Sequence, residues 1–184
     1  MENDYIISVK KQFAYYKSLG EKTFEQLTDE QLCWQYNPES NSVAMIVNHL
    51  SGNMISRWTD IFTTDGEKPN RNREAEFAPS NLTRQTVLAT WELGWKCLFD
   101  TLDGLTGDDL SKIIYIRNQG HTVMEAINRQ LAHYPYHVGQ IVFLGKMLCD
   151  ESWASLSIPR GKSENYNADK FAKEKRKVHF TDEE

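Results

Sequence analysis

Three histidines of this chain, His49, His133 and His137, have a type and a spacing that suit metal binding. His133 and His137 lie four residues apart in a segment with a helical apolar pattern, so they share one helix face, with Cβ atoms about 5–6 Å apart. His49 lies in a second segment with a helical pattern. If the two helices pack together, three imidazoles meet and leave coordination positions open for water or a substrate, as a catalytic metal requires.

Each histidine also has a plain structural interpretation, which the sequence leaves open. A histidine on a helix is most often a surface residue or a hydrogen-bonded core residue, and a pair four residues apart is common by chance. Pro135, between the two histidines, removes one helical hydrogen bond and predicts a kink, which is either functional or merely tolerated. His121 and His179 have no partner at a useful spacing and are predicted to lie in a loop and in the C-terminal tail.

The composition is that of a folded globular protein. A chain of 184 residues with 40% apolar and 26% charged residues is long enough for one domain with a buried core. The net charge of −5 disfavours a general nucleic-acid-binding protein, which usually carries a basic surface. A basic run at residues 173–177 is followed by acidic residues, so we expect a solvated tail there rather than a binding motif.

Three cysteines, Cys33, Cys97 and Cys149, are far apart in the sequence and form no Cys-x-x-Cys motif. This pattern predicts reduced thiols rather than a disulfide framework or a thiolate zinc site. The acidic N-terminus lacks the basic start and apolar core of a signal peptide, and no apolar stretch approaches the ~20 residues of a membrane span. We therefore expect a cytoplasmic protein that contacts no membrane.

Apolar residues recur at helical spacing in four long segments. The predicted helices cover about residues 3–27, 43–62, 81–103 and 123–148. Ser42, Ser80 and Thr122 are predicted N-caps, and Glu125 completes a capping box with Thr122. Since strand signals are sparse, the sequence predicts an all-α protein built as a four-helix bundle.

The segments outside these helices differ in character. Residues 63–80 contain a glycine, two prolines and many charges, and are predicted to form a long surface loop. Residues 113–117 have a high β-propensity and predict a small extended flap. Residues 153–167 are predicted to be irregular. The common glycine-rich nucleotide motifs, the serine-hydrolase motif and His-Glu-x-x-His do not occur in the sequence.

Three segments of the chain resemble parts of the DinB-like (YfiT-like) family of bacterial metal-binding four-helix proteins. Residues 41–53, which include His49, resemble the second helix of that family. Residues 133–141, His-Tyr-Pro-Tyr-His-Val-Gly-Gln-Ile, resemble its fourth-helix signature. Residues 156–163 are similar to the tail of an uncharacterised branch. Each motif alone is weak, but the three in this order are fairly specific, and the resemblance extends to about residue 167.

The resemblance implies a fold, a metal and an assembly. It implies a four-helix bundle in up-down-down-up order over residues 1–167, with residues 168–184 as a charged C-terminal tail. It implies one divalent metal ion, zinc, nickel or manganese, held by His49, His133 and His137. It also implies a homodimer.

The ligand set indicates the chemistry that such a site would support. Neutral imidazoles leave the charge of the ion intact, so that it would lower the pKa of bound water toward ~7 or deprotonate a bound thiol. Candidate helpers and substrate contacts are Asn53, Tyr136, Gln140 and Arg160. Each of these four residue types is more often structural than functional.

The sequence leaves two functions open. Some relatives use a low-molecular-weight thiol, so the resemblance implies a metal-dependent enzyme that transfers such a thiol to a small electrophile or hydrolyses a small substrate. The alternative is a non-catalytic, dimeric metal-binding protein associated with stress. Because the sequence places no cysteine near the histidines, an enzyme of this kind is expected to take its nucleophile from outside, as a thiol cofactor or as water.

Overall fold

The computed structural model describes residues 4–78 and 82–182 and is mostly helical. Seven α-helices occur in the described residues: α1 (Asp4–Phe24), α2 (Asp29–Cys33), α3 (Val43–Trp58), α4 (Arg73–Glu76), α5 (Arg84–Gly104), α6 (Val123–Cys149) and α7 (Ser163–Phe171). Strands β1 (Ile113–Ile116) and β2 (Gln119–Thr122) form one small antiparallel sheet. The four long helices, α1, α3, α5 and α6, correspond to the four segments that the apolar pattern predicts.

Two of these long helices begin at the N-cap residues that the sequence predicts. The Ser42 side chain accepts a hydrogen bond from the Met45 backbone at the start of α3. At the start of α6, Thr122 accepts from the Glu125 backbone and the Glu125 carboxylate accepts from the Thr122 backbone, which is a complete capping box. Both predicted caps are confirmed.

Other predicted boundaries need correction. The second of the four predicted helices, now α3, ends at Trp58 rather than near residue 62, because Thr59 is extended and Asp60 has a positive φ of 48°. Helix α5 begins at Arg84 with Thr83 as its N-cap, whereas the predicted cap, Ser80, lies outside the described residues. The predicted loop 63–80 contains α4, and the segment predicted to be irregular contains the start of α7, which continues past residue 167.

Contacts at both ends of the long helices establish their relative directions. Helices α3 and α5 run in the same direction, since Ser51 lies against Gly94 and the Trp58 carbonyl accepts a hydrogen bond from Thr101 at 2.8 Å. A Cβ at Gly94 would come within 2.7 Å of the Ser51 backbone, so glycine permits this close approach.

Helices α1 and α6 also run in one direction, because Tyr5 bonds Asn128 near their N-terminal ends and Cys149 bonds the Gln26 carbonyl near their C-terminal ends. The two pairs run in opposite directions. Lys10 near the start of α1 pairs with Asp103 near the end of α5, at 2.9 Å.

The core between the long helices is rich in aromatic side chains. Fully buried rings of Phe13, Trp91, Trp95 and Tyr134 contact one another with centroid distances of 5.3–6.3 Å. Tyr134 lies on α6 between the two predicted ligands of that helix, on the side that faces the core. Helix α6 is continuous through Pro135.

The strand-forming run predicted at 113–117 is one half of a hairpin. Its turn residues, Arg117 and Asn118, have positive φ values of 55° and 60°, the conformation of a tight hairpin turn. Both turn N–H groups donate to the carboxylate of Asp65, at 2.8 and 2.9 Å. His121 lies in β2 opposite Ile114, so its predicted location in a loop is wrong.

The C-terminal residues 172–178 are exposed, whereas the residues after them contact α1. Phe180 packs edge-on against Tyr15, and Asp182 pairs with Lys11 at 2.6 Å. None of the helices in the described residues has the length and apolar character needed to cross a membrane.

Candidate metal centre

The structure brings His49, His133 and His137 together between α3 and α6. Each imidazole ring contacts the other two. The ring centroids are 5.4 Å apart for His49–His133, 4.9 Å for His49–His137 and 4.8 Å for His133–His137. His49 is buried and the two α6 histidines are half-buried. Their ligand atoms all lie within 4.8 Å of one another, so they form a group that could hold a metal ion.

The nitrogen spacing fits a single ion. Nε2 of His49 and Nε2 of His133 are 3.4 Å apart. Two nitrogens bound at ~2.1 Å with a tetrahedral angle lie about 3.4 Å from each other, and no two nitrogens on one such ion can be more than about 4.2 Å apart. One pair therefore has the required distance, and the third nitrogen, within 4.8 Å of the other two, is at most about 0.6 Å beyond the upper limit.

Each of the three imidazoles has a hydrogen-bond acceptor at its other nitrogen. Nδ1 of His133 lies 3.1 Å from Oε1 of Gln130, and Nδ1 of His137 lies 2.8 Å from Oε1 of Gln140. Nδ1 of His49 lies 3.0 Å from a carboxylate oxygen of Glu76. When Nδ1 donates to these acceptors, Nε2 carries a lone pair in all three rings, as metal-binding histidines with a supporting acceptor do.

This tautomer leaves the close nitrogen pair without a hydrogen between them. Because Nε2 of His49 and Nε2 of His133 each present a lone pair at 3.4 Å, they repel each other unless a cation lies between them. A divalent cation satisfies both lone pairs and the lone pair of His137 at once. The residues present therefore fit a metal ion.

Glu76, the hydrogen-bond acceptor of His49, lies on α4, in the segment between α3 and α5. Arg71 holds its carboxylate with two hydrogen bonds, from Nε at 2.7 Å and from Nη2 at 2.8 Å. A side chain at Gly52, three residues after His49, would collide with the Glu76 carboxylate. The absence of a Cβ at this position thus lets Glu76 reach His49.

The electrostatic environment keeps these groups in the states that metal binding needs. Burial, together with the neighbouring rings of His137 and His49, lowers the pKa of His133 to about 3. Burial likewise lowers the pKa of His137. Burial acts to raise the pKa of the Glu76 carboxyl, but hydrogen bonds from His49 and Arg71 outweigh it and lower that pKa. At neutral pH the α6 imidazoles are neutral and the carboxylate is ionised.

An open cavity of about 610 Å³ lies over the three histidines. This volume falls in the range of about 300–1,000 Å³ that small-molecule sites occupy. Three of the four predicted helper residues, Asn53, Tyr136 and Gln140, line it, whereas Arg160 is exposed and lies outside its lining. Asn53 accepts a hydrogen bond from the Tyr134 hydroxyl at 3.1 Å, and the ring of Tyr136 is 63% exposed.

Several residues of the site are not predicted from the sequence. Gln130 lies three residues before His133, as Gln140 lies three residues after His137, so helical spacing could have identified it. Glu76 and Arg71 reach the site through the path of the segment between α3 and α5, and their local sequence contains no signal of this. Five arginines and Phe77 also line the cavity, and none was predicted.

The cysteines lie elsewhere. Cys33, Cys97 and Cys149 are free thiols, and none of them lines the cavity. Burial raises the pKa of the Cys149 thiol, and its sulfur donates to the Gln26 carbonyl at 3.2 Å. These thiols therefore have structural surroundings rather than a place beside the histidines.

The described residues thus define a mostly helical protein with a three-histidine group that could hold a metal ion. The chain belongs to the family described as a protein of unknown function (DUF1572), which it matches over residues 1–162. No curated protein matches the chain.

Proposed function

We propose that this chain is a divalent-metal-dependent enzyme of the DinB-like (YfiT-like) class, with His49, His133 and His137 as its metal ligands. One observation carries the proposal: three imidazole rings meet at one point, and each has a hydrogen-bond acceptor at the nitrogen that faces away from the others. Zinc and nickel suit this nitrogen set best, and manganese is the third candidate.

The proposed class includes a four-helix bundle in up-down-down-up order. The contacts between the long helices support this arrangement, because α1 and α6 share one direction and α3 and α5 share the other. In such a bundle, sites are built from side chains on facing helices. The position of His49 on α3, opposite two histidines on α6, agrees with that general pattern.

The proposed reaction is the transfer of a low-molecular-weight thiol to a small electrophile, or the hydrolysis of a small substrate. A divalent ion on neutral ligands supplies a Lewis acid that lowers the pKa of a thiol or of water. The residues of the chain orient the reaction: Gln130, Gln140 and Glu76 fix the imidazole rings, so that each keeps its Nε2 lone pair toward the cavity.

Two cavity residues are proposed to contact the substrate. The Asn53 side-chain oxygen is occupied by Tyr134, so the Asn53 amide N–H group is the donor that this residue can offer a substrate oxygen. The Tyr136 hydroxyl lies on an exposed ring at the cavity wall and is a second donor. The nucleophile comes from outside the chain, because no cysteine lines the cavity in the described part of the structure.

The metal content of the purified protein is the first test. Mass spectrometry should find close to one divalent ion per chain in the wild-type protein and a large loss of it in His137→Ala. His121→Ala is the matched control, because it removes an imidazole that lies outside the cluster. Full metal content in His137→Ala would overturn the proposed centre.

The second test separates the enzyme from a non-catalytic binding protein. Small thiols are screened against electrophilic acceptors, and esters and amides are screened for hydrolysis, with and without a chelator. Activity should be lost with chelator and in His49→Ala, and should persist when all three cysteines are replaced by serine. A full metal site with no turnover of any of these substrates would favour the non-catalytic alternative.

A further inference from the structure

The wall of the cavity is strongly basic, although the chain as a whole is acidic. Five arginines line it: Arg57, Arg71, Arg73, Arg117 and Arg129. Among the described residues, no aspartate or glutamate lines the same cavity. The net charge of the chain is −5, so this local excess of positive charge is not a consequence of overall composition.

Three of the five arginines have structural partners. Arg57 is buried, bonds the Gly66 carbonyl and pairs with Glu67 at 3.0 Å. Arg117 pairs with the same carboxylate at 3.0 Å, and Arg71 holds the Glu76 carboxylate. These three guanidinium groups are therefore held by the carboxylates of Glu67 and Glu76, and their charges are largely compensated.

Arg129 differs, because its charge is not balanced by a carboxylate partner among the described residues. It lies four residues before His133 on α6, one helical turn away on the same face, and it lines the cavity. No ion pair joins its guanidinium to any residue in the described ranges 4–78 and 82–182. Its side chain is exposed, so it is free to move toward a ligand above the histidines.

Arg73 is placed on the opposite wall by aromatic stacking. Its guanidinium lies 5.2 Å from the centroid of Phe77, and the Phe77 ring lies 4.8 Å from the ring of His49. The nearest carboxylate, that of Glu74, is 3.7 Å away and its side chain is 91% exposed, so solvent weakens this pair.

We propose that the cavity takes a small substrate that carries an oxyanion, a carboxylate or a phosphate, and that Arg73 and Arg129 bind this group at the cavity mouth. The inference rests on the proposed function, because it assigns the reacting end of the same molecule to the three histidines. Arginine matches the shape of a carboxylate or phosphate with paired hydrogen bonds, and it keeps its charge at every accessible pH.

The test uses two probes that differ only in the remote charge. N-acetylcysteine and N-acetylcysteinamide carry the same thiol, but only the first has a carboxylate. Each is titrated calorimetrically into the full-length protein, both loaded with zinc and after chelation, and the ratio of the two Kd values is measured at low ionic strength. Metal content is determined for every sample.

The wild-type protein should bind the charged probe roughly tenfold more tightly than the amide, since a charge-assisted hydrogen bond is worth about that factor. Arg129→Gln and Arg73→Gln should each reduce the ratio severalfold, and the double variant should bring it near one. Arg129→Lys should recover part of the preference. Lys96→Gln, on α5 and outside the cavity lining, removes the same charge and should leave the ratio unchanged.

Equal binding of the two probes to the zinc-loaded protein would overturn the oxyanion site while leaving the metal centre intact. Absence of zinc binding would instead overturn the proposed function. The ratio of the two Kd values in the chelated protein would then test the oxyanion site by itself. Preference for the charged probe after chelation supports the oxyanion site, and lack of it overturns the site. Competition by acetate and by inorganic phosphate then distinguishes the two oxyanions.

Discussion

Two glutamines flank the α6 histidines in a symmetrical way, one three residues before His133 and one three residues after His137. Both amides accept from an imidazole Nδ1, and residues three apart on a helix lie side by side. The orientation of both rings is therefore set within a single helix. His49 differs, because its acceptor is a carboxylate that reaches it from another element.

Gln140→Leu should weaken metal binding without removing a ligand. Leucine has a similar size but no acceptor, so the His137 ring loses the group that holds its Nδ1 proton. Loss of such a supporting residue typically costs about 10- to 100-fold in metal affinity. Competition with a chromophoric chelator measures the change.

A surface glutamine provides the control for this experiment. Gln85 is exposed at the start of α5 and lies outside the cavity lining, so Gln85→Leu should leave the affinity as it is. An unchanged affinity in Gln140→Leu would contradict the proposed role of the amide.

The candidate ligands were accessible from sequence because two of them are close together in it. The four-residue spacing of His133 and His137 is a local pattern, and any helix places such a pair on one face. The support of His49 by Glu76 was not accessible. It depends on the path of the segment between α3 and α5 and on the missing side chain at Gly52, neither of which a local pattern encodes.

At the scale of elements, a buried chain of hydrogen bonds links α3 to α6. Trp58 donates to the Tyr134 hydroxyl at 3.0 Å, and that hydroxyl donates to Asn53 at 3.1 Å. Burial strongly raises the pKa of Tyr134, so the hydroxyl keeps its proton and remains a donor. This chain fixes the separation of the two helices that carry the histidines.

Tyr134→Phe should therefore destabilise the protein. Both Asn53 and Trp58 lose a buried partner, which typically costs about 1–3 kcal/mol in the free energy of unfolding. Urea denaturation followed by circular dichroism measures it. Tyr36→Phe, at a position that is 71% exposed, is the control and should have no measurable effect. Equal stability of Tyr134→Phe and the wild type would refute this role.

Asp65 connects the β1–β2 turn to the segment after α3, and this link should depend on pH. Backbone hydrogen bonds from Asn118, Glu67 and Arg117 lower the pKa of the Asp65 carboxyl. A depressed pKa in the folded state means that the link contributes stability above the unfolded pKa of about 3.9, and that the contribution is lost as the pH falls through the folded pKa.

Asp65→Asn should lower stability at pH 7, because hydrogen bonds to a charged acceptor become weaker neutral ones, and solvent screening around this carboxylate keeps the loss below about 1 kcal/mol. The difference from the wild type should begin to shrink below about pH 4 and should vanish only when the pH has fallen through the lower folded pKa of Asp65, where the folded wild-type carboxyl is protonated as well. Urea denaturation at both pH values measures it, with the exposed Asp169→Asn as control. A difference that stays constant with pH would speak against the carboxylate as its source.

The ends of the elements were harder to predict than the elements themselves. Caps at Ser42 and Thr122 are local and follow from residue types four positions apart or fewer. The end of α3 at Trp58 is set by the backbone turn at Asp60, although the apolar pattern continues to Ile61, which is buried outside the helix. Helix α4 has four residues and is too short to produce a periodic signal.

At the scale of the whole molecule, two large apolar side chains on the C-terminal half of α6 face solvent. Phe143 and Met147 have exposures of 64% and 50%, and their four-residue spacing places them on one side of the helix. A second copy of the chain would cover them, which agrees with the homodimer that the sequence resemblance implies. We therefore keep the dimer as a prediction.

Light scattering at micromolar concentration should give a mass near twice the 21.4 kDa of the chain. Phe143→Lys should shift the mass toward the monomer, because it introduces a charge into the apolar side. Phe171→Lys, at a position on α7 that is 84% exposed, is the control. A wild-type particle of ~21 kDa would contradict the dimer.

If the three histidines bind a metal ion as proposed, their distribution along the chain would couple metal binding to folding. His133, His137 and the two glutamines lie on one helix, so a pair of nitrogens can bind an ion weakly whenever that helix forms. His49 is 84 residues away from His133 and joins them only when α3 has packed against α6. An ion bound by all three closes a long loop and prefers the native chain, which it stabilises by about 2.7 kcal/mol at a free concentration 100 times its Kd. Chelation should then lower the temperature of unfolding even in a protein that has no substrate to act on.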